Sequence, residues 1–256
     1  MRVADPMQRL DANLDSEIEA FSLEVLRIFQ ERRLVRHTSI DIASLTLQQA
    51  YEIQDRCISA RVSAGEHVIG WKIGCTSRAI QQQFGLSQPI CGRLLEPHIY
   101  EDGTKFSVSD FIDCAVEPEM VFHIGTDLSD GMDHAALRES IAAVSAGIEL
   151  HNYHFWYGQP TSQELIASNG IHAALVVGKG SELPTGTDLE REAVSIFVND
   201  ALAASGIGAE IMGGPLNSLR WLVLHLARRG ERVRAGQVVI PGSAVKLVNV
   251  AAGNIA

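Results

Sequence analysis

The chain contains no apolar stretch long enough to cross a membrane. Its longest apolar runs, such as residues 173–177 and 221–224, fall far short of the roughly 20 residues that a spanning helix needs. The first 15 residues lack the apolar centre of a secretory signal peptide. We therefore expect a cytoplasmic protein with no membrane partner.

Cysteine is scarce and scattered. The four cysteines form no CxxC pair, which argues against a thiolate metal site and a disulfide framework: Cys57, Cys75, Cys91 and Cys114. We expect reduced, buried thiols, as is usual in the cytoplasm.

Positive charge is also in short supply. The chain has 21 Lys and Arg against 31 Asp and Glu, a formal net charge of −10. Because nucleic-acid binding depends on clustered cations that face phosphates, this balance disfavours a nucleic-acid partner. The chain also lacks the GxxxxGK[ST], strand-borne GxGxxG, GxSxG and HExxH motifs, so it offers no simple argument for nucleotide binding, dinucleotide redox chemistry or serine hydrolysis.

The pattern of apolar, Gly and Pro residues divides the 256 residues into a helical N-terminal portion, residues 1–65, and a β-rich catalytic core, residues 66–256. Apolar residues recur at helical spacing around residues 14–29 and again after Thr46. The core shows short strand-like segments between Gly/Pro turns, which favours an α+β fold over regular βαβ alternation. We expect strands at residues 67–73, 114–124, 171–177, 193–198, 238–240 and 245–250, a turn-rich stretch at 85–97, and helices from Asp133 through Ile148 and from Pro215 to Gly230.

Two carboxylates two residues apart, Glu117 and Glu119, interrupt an apolar strand-like segment. On a strand both side chains face the same side, and inside a protein they would repel each other unless a cation lay between them. A hard divalent cation meets that need, with Glu149 as a third candidate ligand. The alternative is a solvated face of an edge strand, which Pro118 favours because proline is usually found at edges and bulges.

A lone lysine, Lys72, lies in a short apolar segment between Gly70 and Gly74. It could place a cation near an anionic substrate, or it could be a surface lysine on a strand edge. His151 and His154 follow Glu149, and on a helix their spacing could form a zinc pair, but the carboxylate set favours a harder metal.

Several segments together resemble one family, in the family's order: GWKIGCTS (70–77), QQQFGLSQPICGRL (81–94), VEPEMVFHIG (116–125), Glu149 and GGPLNSLRWLVLHLARRGERVRAGQVVIPGS (213–243). The family is the 2-keto-4-pentenoate hydratase and 4-oxalocrotonate decarboxylase family of the fumarylacetoacetate hydrolase superfamily. The resemblance spans roughly residues 14 to 254. It implies a mixed β-roll or barrel core with a helical N-terminal portion, and a homo-oligomer.

The resemblance also implies a site. Mg²⁺ or Mn²⁺ would be held by Glu117, Glu119 and Glu149, and Lys72 would be catalytic or orient the substrate, a small 2-hydroxydienoate or 2-oxo acid. Residues 167–171 read ASNGI where the family commonly has ADNAS, and Tyr153-His154 stand where it often has Ser-Arg. The expected substrate contacts are His154, Ser168, Asn169, Ile171 and Ser243, and Ile171 suggests a more apolar pocket than is usual.

The resulting hypothesis is a metal-dependent lyase of aromatic-compound catabolism that hydrates a 2-hydroxy-2,4-dienoate to a 4-hydroxy-2-oxo acid. Decarboxylation of a 4-oxalocrotonate-like 2-oxo acid on the same site is the first alternative. Cleavage of a C–C bond in a diketo acid would need a water-activating pair, for which Glu31 and His37 are the candidates. A non-catalytic relative is a further alternative, against which the retained acidic triad and lysine argue.

Overall fold

A computed structural model describes residues 6–32, 41–153, 156 and 158–256, with side chains from residue 14 onward. The helices are α1 (Pro6–Glu31), α2 (Leu47–Ser63), α3 (Arg78–Gln83), α4 (His134–Glu139), α5 (Ser162–Ala167) and α6 (Pro215–Arg228). The strands are β1 (Val68–Gly74), β2 (Ile90–Leu95), β3 (Ile99–Glu101), β4 (Cys114–Ile124), β5 (Ile141–Asn152), β6 (His172–Val177), β7 (Ala193–Val198), β8 (Ala201–Ile207), β9 (Val238–Ile240) and β10 (Val248–Asn249). None of the described helices is both long and apolar enough to span a membrane.

The two N-terminal helices form where the apolar periodicity predicts them. Phe21 and Val25 of α1 are fully buried. The Thr46 hydroxyl caps α2 in a capping box with Gln49, and Gly65 follows the helix end with a φ of +103°. Both helices share one hydrophobic core with the sheet, so the division of the chain at residue 65 stays a prediction.

The main sheet is mixed and has the order β2-β1-β9-β4-β5-β6-β3, with β10 also paired to β4. β1 runs antiparallel to β2 and parallel to β9, and β3 runs parallel to β6. A separate hairpin, β7–β8, forms a second sheet. The α+β class is therefore confirmed. All four cysteines are free, and three of them are buried.

The helix predicted from Asp133 through Ile148 is wrong beyond its first turns. The Asp133 side chain caps α4 as expected, but α4 ends at Glu139 and the following residues form β5. Ile141, Val144 and Ile148 recur at helical spacing, yet β5 pairs with β4 on one side and with β6 on the other. These sheet hydrogen bonds, together with the β-branched side chains, override the periodicity.

Two further boundaries differ from prediction, and one hairpin strand was not predicted. The supposedly turn-rich stretch at residues 85–97 contains β2, whose residues are all buried. The strand predicted at residues 245–250 is confined to β10, and β8 follows β7 directly after a short turn. Short buried strands between Pro and Gly carry little periodicity, so their sequence signal is weak.

The edge-strand alternative for β4 is also wrong, because β4 lies between β9 and β5. β9 pairs with residues 122–123 and β10 with residues 115–116, which leaves a gap in the described ladder beside Pro118. A proline fits there because it has no amide hydrogen to donate. The Ser243 hydroxyl reaches into this gap and donates to the Pro118 carbonyl oxygen at 3.0 Å.

Candidate active site

Strand register brings the predicted carboxylates together. Glu117 on β4 is directly opposite Glu149 on β5, and Glu119 is opposite Gly147. Directly opposite residues share a face of the sheet, so all three acidic side chains project from one face, here called the inner face. Glu149 and Glu119 are only 1 % and 3 % exposed, whereas Glu117 is half-buried.

Lys72 reaches the same cluster from a distant strand. β9 and β4 lie between β1 and β5, so in a flat sheet the backbones of Lys72 and Glu149 would be at least three strand spacings, about 14 Å, apart. The Lys72 Nζ atom nevertheless lies 2.5 Å from Glu149 Oε1, and both side chains are buried. The main sheet is therefore strongly curled, with the inner face on its concave side.

Two histidines complete the surroundings of Glu149. His172 Nδ1 lies 2.7 Å from Glu149 Oε1, the same oxygen that Lys72 contacts. His151 Nε2 lies 3.1 Å from Glu117 Oε2 and 3.5 Å from Glu149 Oε2. One oxygen of Glu149 is thus held by Lys72 and His172, and the other faces His151.

The charges around Glu149 and Glu119 differ sharply. Burial opposes ionisation of Glu149, but Lys72, His151 and His172 outweigh it and hold the pKa of Glu149 well below its usual value. Burial and the negative charges of Glu149 and Glu117 raise the pKa of Glu119 well above its usual value. Burial also lowers the pKa of His172 to about 4, so its neutral ring donates the Nδ1 hydrogen to Glu149 at pH 7.

A left-handed turn fits against Lys72. Asn169, Gly170 and Ile171 have φ angles of 56°, 65° and 54°, which is rare for three successive residues and strained for the β-branched Ile171. The Gly170 carbonyl oxygen accepts a hydrogen bond from Lys72 Nζ at 3.2 Å. A Cβ atom on Gly170 would lie 3.1 Å from Lys72 Nζ, so a larger residue here would displace the Lys72 amine by a few tenths of an ångström.

Two of the predicted substrate contacts, Ser168 and Asn169, support this turn. Ser168 is fully buried, and its hydroxyl donates to the Glu164 carbonyl and accepts from Trp156 Nε1. The Asn169 side chain brackets the backbone of Arg93, accepting from its N–H at 2.7 Å and donating to its carbonyl at 2.9 Å. Both side chains hold the turn in place.

The remaining predicted contacts have different environments. Ile171 is buried, and the Ser243 hydroxyl donates to β4 as described above. His154 lies outside the described residues. Contact of these five residues with substrate stays a prediction.

Sequence reasoning missed His172 and Gly170, and it considered His151 only as half of a helical zinc pair. β5 replaces that helix at His151. No local pattern marks His172, because its place beside Glu149 depends on the pairing of β6 with β5. The departure of residues 167–171 from the family motif was the one signal that pointed to the Gly170 turn.

The residues of the cluster fit a divalent cation. Donor atoms of Glu117, Glu149 and His151 all lie within 4.8 Å of one another. Glu119 Oε2 is buried and has no hydrogen-bond partner within the described part of the chain. A buried carboxylate oxygen without a partner is costly. Glu119 is not among the donors that lie within 4.8 Å of one another, so its binding to the same cation stays a prediction.

Solved structures with similar folds include enzymes of one superfamily. The 4-oxalocrotonate decarboxylase of Pseudomonas putida G7, complexed with magnesium and adipate, superposes with a TM-score of 0.87 at 23 % identity, over 99 % of this chain and 94 % of the other. A fumarylpyruvate hydrolase of Pseudomonas aeruginosa in complex with Mn²⁺ and pyruvate gives 0.56 at 15 % identity, over 72 % and 81 % of the two chains. The fold is that of the fumarylacetoacetate hydrolase superfamily, as the sequence resemblance implied.

Sequence relatives narrow the assignment. A 2-keto-4-pentenoate hydratase of Burkholderia vietnamiensis is 33 % identical over 209 residues, 81 % of this chain and 80 % of the relative. A 2-hydroxyhexa-2,4-dienoate hydratase of Comamonas testosteroni is 30 % identical over 213 residues, 82 % and 81 % of the two chains. No family model matches the chain. By these relatives, the chain belongs to the 2-keto-4-pentenoate hydratase family.

Proposed function

We propose that the protein is a metal-dependent hydratase that adds water to a small 2-hydroxy-2,4-dienoate and forms a 4-hydroxy-2-oxo acid. Relatives at 30 % and 33 % identity are named as hydratases of this kind, which supports an enzyme of the lyase type. The observation that carries the proposal is the contact of the Lys72 amine with Glu149, whose side chain shares one face of the sheet with those of Glu117 and Glu119. We infer that the substrate comes from the breakdown of aromatic compounds.

Glu117, Glu119 and Glu149 would hold Mg²⁺ or Mn²⁺, since carboxylate oxygens are the ligands that these ions prefer. Solved structures with this fold are complexed with Mg²⁺, Ca²⁺ or Mn²⁺. When bound, the ion supplies Lewis-acid stabilisation of negative charge on substrate oxygens.

Lys72 can serve both charge balance and substrate orientation. An ammonium group has three hydrogens to donate. Among the described residues, Glu149 Oε1 and the Gly170 carbonyl accept two of them. The third hydrogen is left for an oxygen of the substrate, where it would stabilise negative charge or pass on a proton.

His172 positions Glu149 for this task. Its Nδ1 hydrogen and the Lys72 ammonium both bind Glu149 Oε1, which leaves Oε2 directed toward Glu117 and His151. The Asn169 bracket on Arg93 anchors the Gly170 turn to β2 and so keeps the Lys72 amine in place. We propose that Ile171 and the other predicted contacts line the substrate pocket next to this turn.

Decarboxylation would use the same site, so the test must separate the two reactions. With Mg²⁺ or Mn²⁺, the protein should consume 2-hydroxypenta-2,4-dienoate, which is measured as loss of dienol absorbance. Addition of EDTA should stop the reaction. A parallel assay with a 4-oxalocrotonate-type substrate records CO₂ release. Glu119→Gln should abolish turnover, whereas Glu101→Gln, at an exposed carboxylate, should not. CO₂ release without dienoate hydration would overturn the hydratase proposal.

C–C bond hydrolysis is not proposed. Glu31 ends α1, and His37 lies outside the described residues, so the pair stays a prediction.

A homo-oligomer is proposed from the family resemblance. Large apolar side chains on the β7–β8 hairpin support it, because Phe197 and Leu202 are 53 % and 58 % exposed. Light scattering on the purified chain tests this, and a monomer at micromolar concentration would contradict it.

A further inference from the structure

His151 is placed as a ligand would be. It lies on β5 two residues after Glu149, so its side chain projects from the same inner face. The side chain is only 4 % exposed, and its Nε2 atom faces one oxygen of Glu117 and one of Glu149. The three-carboxylate set gives this imidazole no place among the metal ligands.

The distances match the edges of a coordination polyhedron. Ligand atoms about 2.1 Å from a transition-metal ion lie about 3.0 Å apart at octahedral angles and about 3.4 Å apart at tetrahedral angles. His151 Nε2 is 3.1 Å from Glu117 Oε2 and 3.5 Å from Glu149 Oε2. Two of the three distances therefore match, and the donor atoms of all three residues lie within 4.8 Å of one another.

The other ring nitrogen can carry the ring proton. Among the described residues, His151 Nδ1 is buried and has no hydrogen-bond partner, whereas Nε2 hydrogen-bonds to Glu117 Oε2, an acceptor that favours the proton on Nε2. A cation bound among these donors would displace that proton, and Nδ1 would then carry the ring hydrogen and leave the Nε2 lone pair for the ion. Glu119 Oε2, which is likewise buried and has no hydrogen-bond partner in the described part of the chain, is a second observation that fits a cation near these side chains.

We propose that His151 supplies a nitrogen ligand to the metal centre. The centre would then hold mixed oxygen and nitrogen donors and would favour Mn²⁺ or another transition ion over Mg²⁺, because imidazole suits transition ions better than it suits Mg²⁺. This inference rests on the proposed function for the existence of the metal site, and it adds a ligand to that site.

The test uses the full chain loaded with Mn²⁺ alone. Electron spin-echo envelope modulation of the frozen sample should show nitrogen coupling to Mn²⁺, and labelling with ¹⁵N-histidine should change that coupling from ¹⁴N to ¹⁵N. This measurement needs no variant. His151→Gln should lose the coupling and reduce the preference for Mn²⁺ over Mg²⁺ by at least about tenfold.

His123→Asn is the matched control. His123 lies on the inner face of β4, where its Nε2 atom pairs with Ser145 Oγ at 2.7 Å, outside the cluster. The coupling should persist in this variant. Bound Mn²⁺ without histidine coupling, or coupling that survives His151→Gln, would overturn the assignment of His151 as a metal ligand. Either result would leave the proposed function intact. Failure to bind Mn²⁺ at all would overturn both.

Discussion

Replacing Lys72 with methionine removes one charge from the buried site while keeping a side chain of similar length. In the native protein the Lys72 ammonium lies 2.5 Å from Glu149 Oε1, and the two side chains are 4 % and 2 % exposed. The substitution therefore leaves the Glu149 carboxylate buried without its principal counter-charge.

Removing one partner of a buried ion pair costs about 3–5 kcal/mol, because the remaining charge is uncompensated. For a chain of this size, that corresponds to a fall in Tm of about 6–20 °C. Lys72→Met with Glu149→Gln removes both charges, so we expect the double variant to recover most of the loss.

Thermal and urea unfolding in EDTA measure this effect, since a bound divalent cation would itself compensate Glu149. Lys179→Met, at an exposed lysine, is the control and should change the free energy of unfolding by less than about 0.5 kcal/mol. An unchanged Tm for Lys72→Met, or a double variant no more stable than the single one, would refute the ion-pair argument.

Three further predictions concern other residues. Above pH 4.5, ionising Glu119 in the folded state costs energy, so Glu119→Gln should leave the metal-free Tm unchanged or raise it. In calorimetry, the same variant should bind Mn²⁺ at least about tenfold more weakly. Reduced metal-free stability would contradict this. Burial lowers the pKa of His225 to about 4, so below pH 6.5 the unfolded chain binds more protons than the folded chain, and stability falls as the pH drops toward 4. In urea titrations at several pH values, His225→Phe should weaken that dependence by about one proton. An unchanged slope of the free energy of unfolding against pH would count against this. Gly170→Ala should lower the free energy of unfolding by about 1–2 kcal/mol, because alanine is strained in the left-handed backbone conformation. It should also lower kcat, because the added Cβ would crowd Lys72. A wild-type kcat would show that the close approach is unimportant.

Much of the acidic site could be predicted from the sequence, because the pattern there is local. Two carboxylates at strand spacing inside an apolar run predict a shared face, and β4 has the predicted bounds, residues 114–124. Glu149 and Lys72 are distant along the chain; the sequence marked each as a candidate, and the family resemblance assigned them to the same site. The structure brings Lys72, Glu117 and Glu149 together, although their roles with metal and substrate stay proposals.

The rest depended on long-range pairing that no local pattern records. The helical spacing of apolar residues after Asp133 hid β5, and a helix there would have separated Glu149 from Glu117. His172 reaches Glu149 because β6 pairs with β5, and Gly170 reaches Lys72 because the sheet curls. Both contacts arise from the closure of the sheet, so only the folded chain shows them.

The proposed function depends most on one cation held among the carboxylates of Glu117, Glu119 and Glu149. A crystal of the full chain soaked in Mn²⁺, with diffraction recorded at the manganese absorption edge, tests this directly. We predict one strong anomalous peak on the concave face of the sheet, within about 2.1–2.3 Å of an oxygen from each carboxylate. A well-diffracting crystal with no peak there, or with manganese bound only elsewhere, would contradict the account.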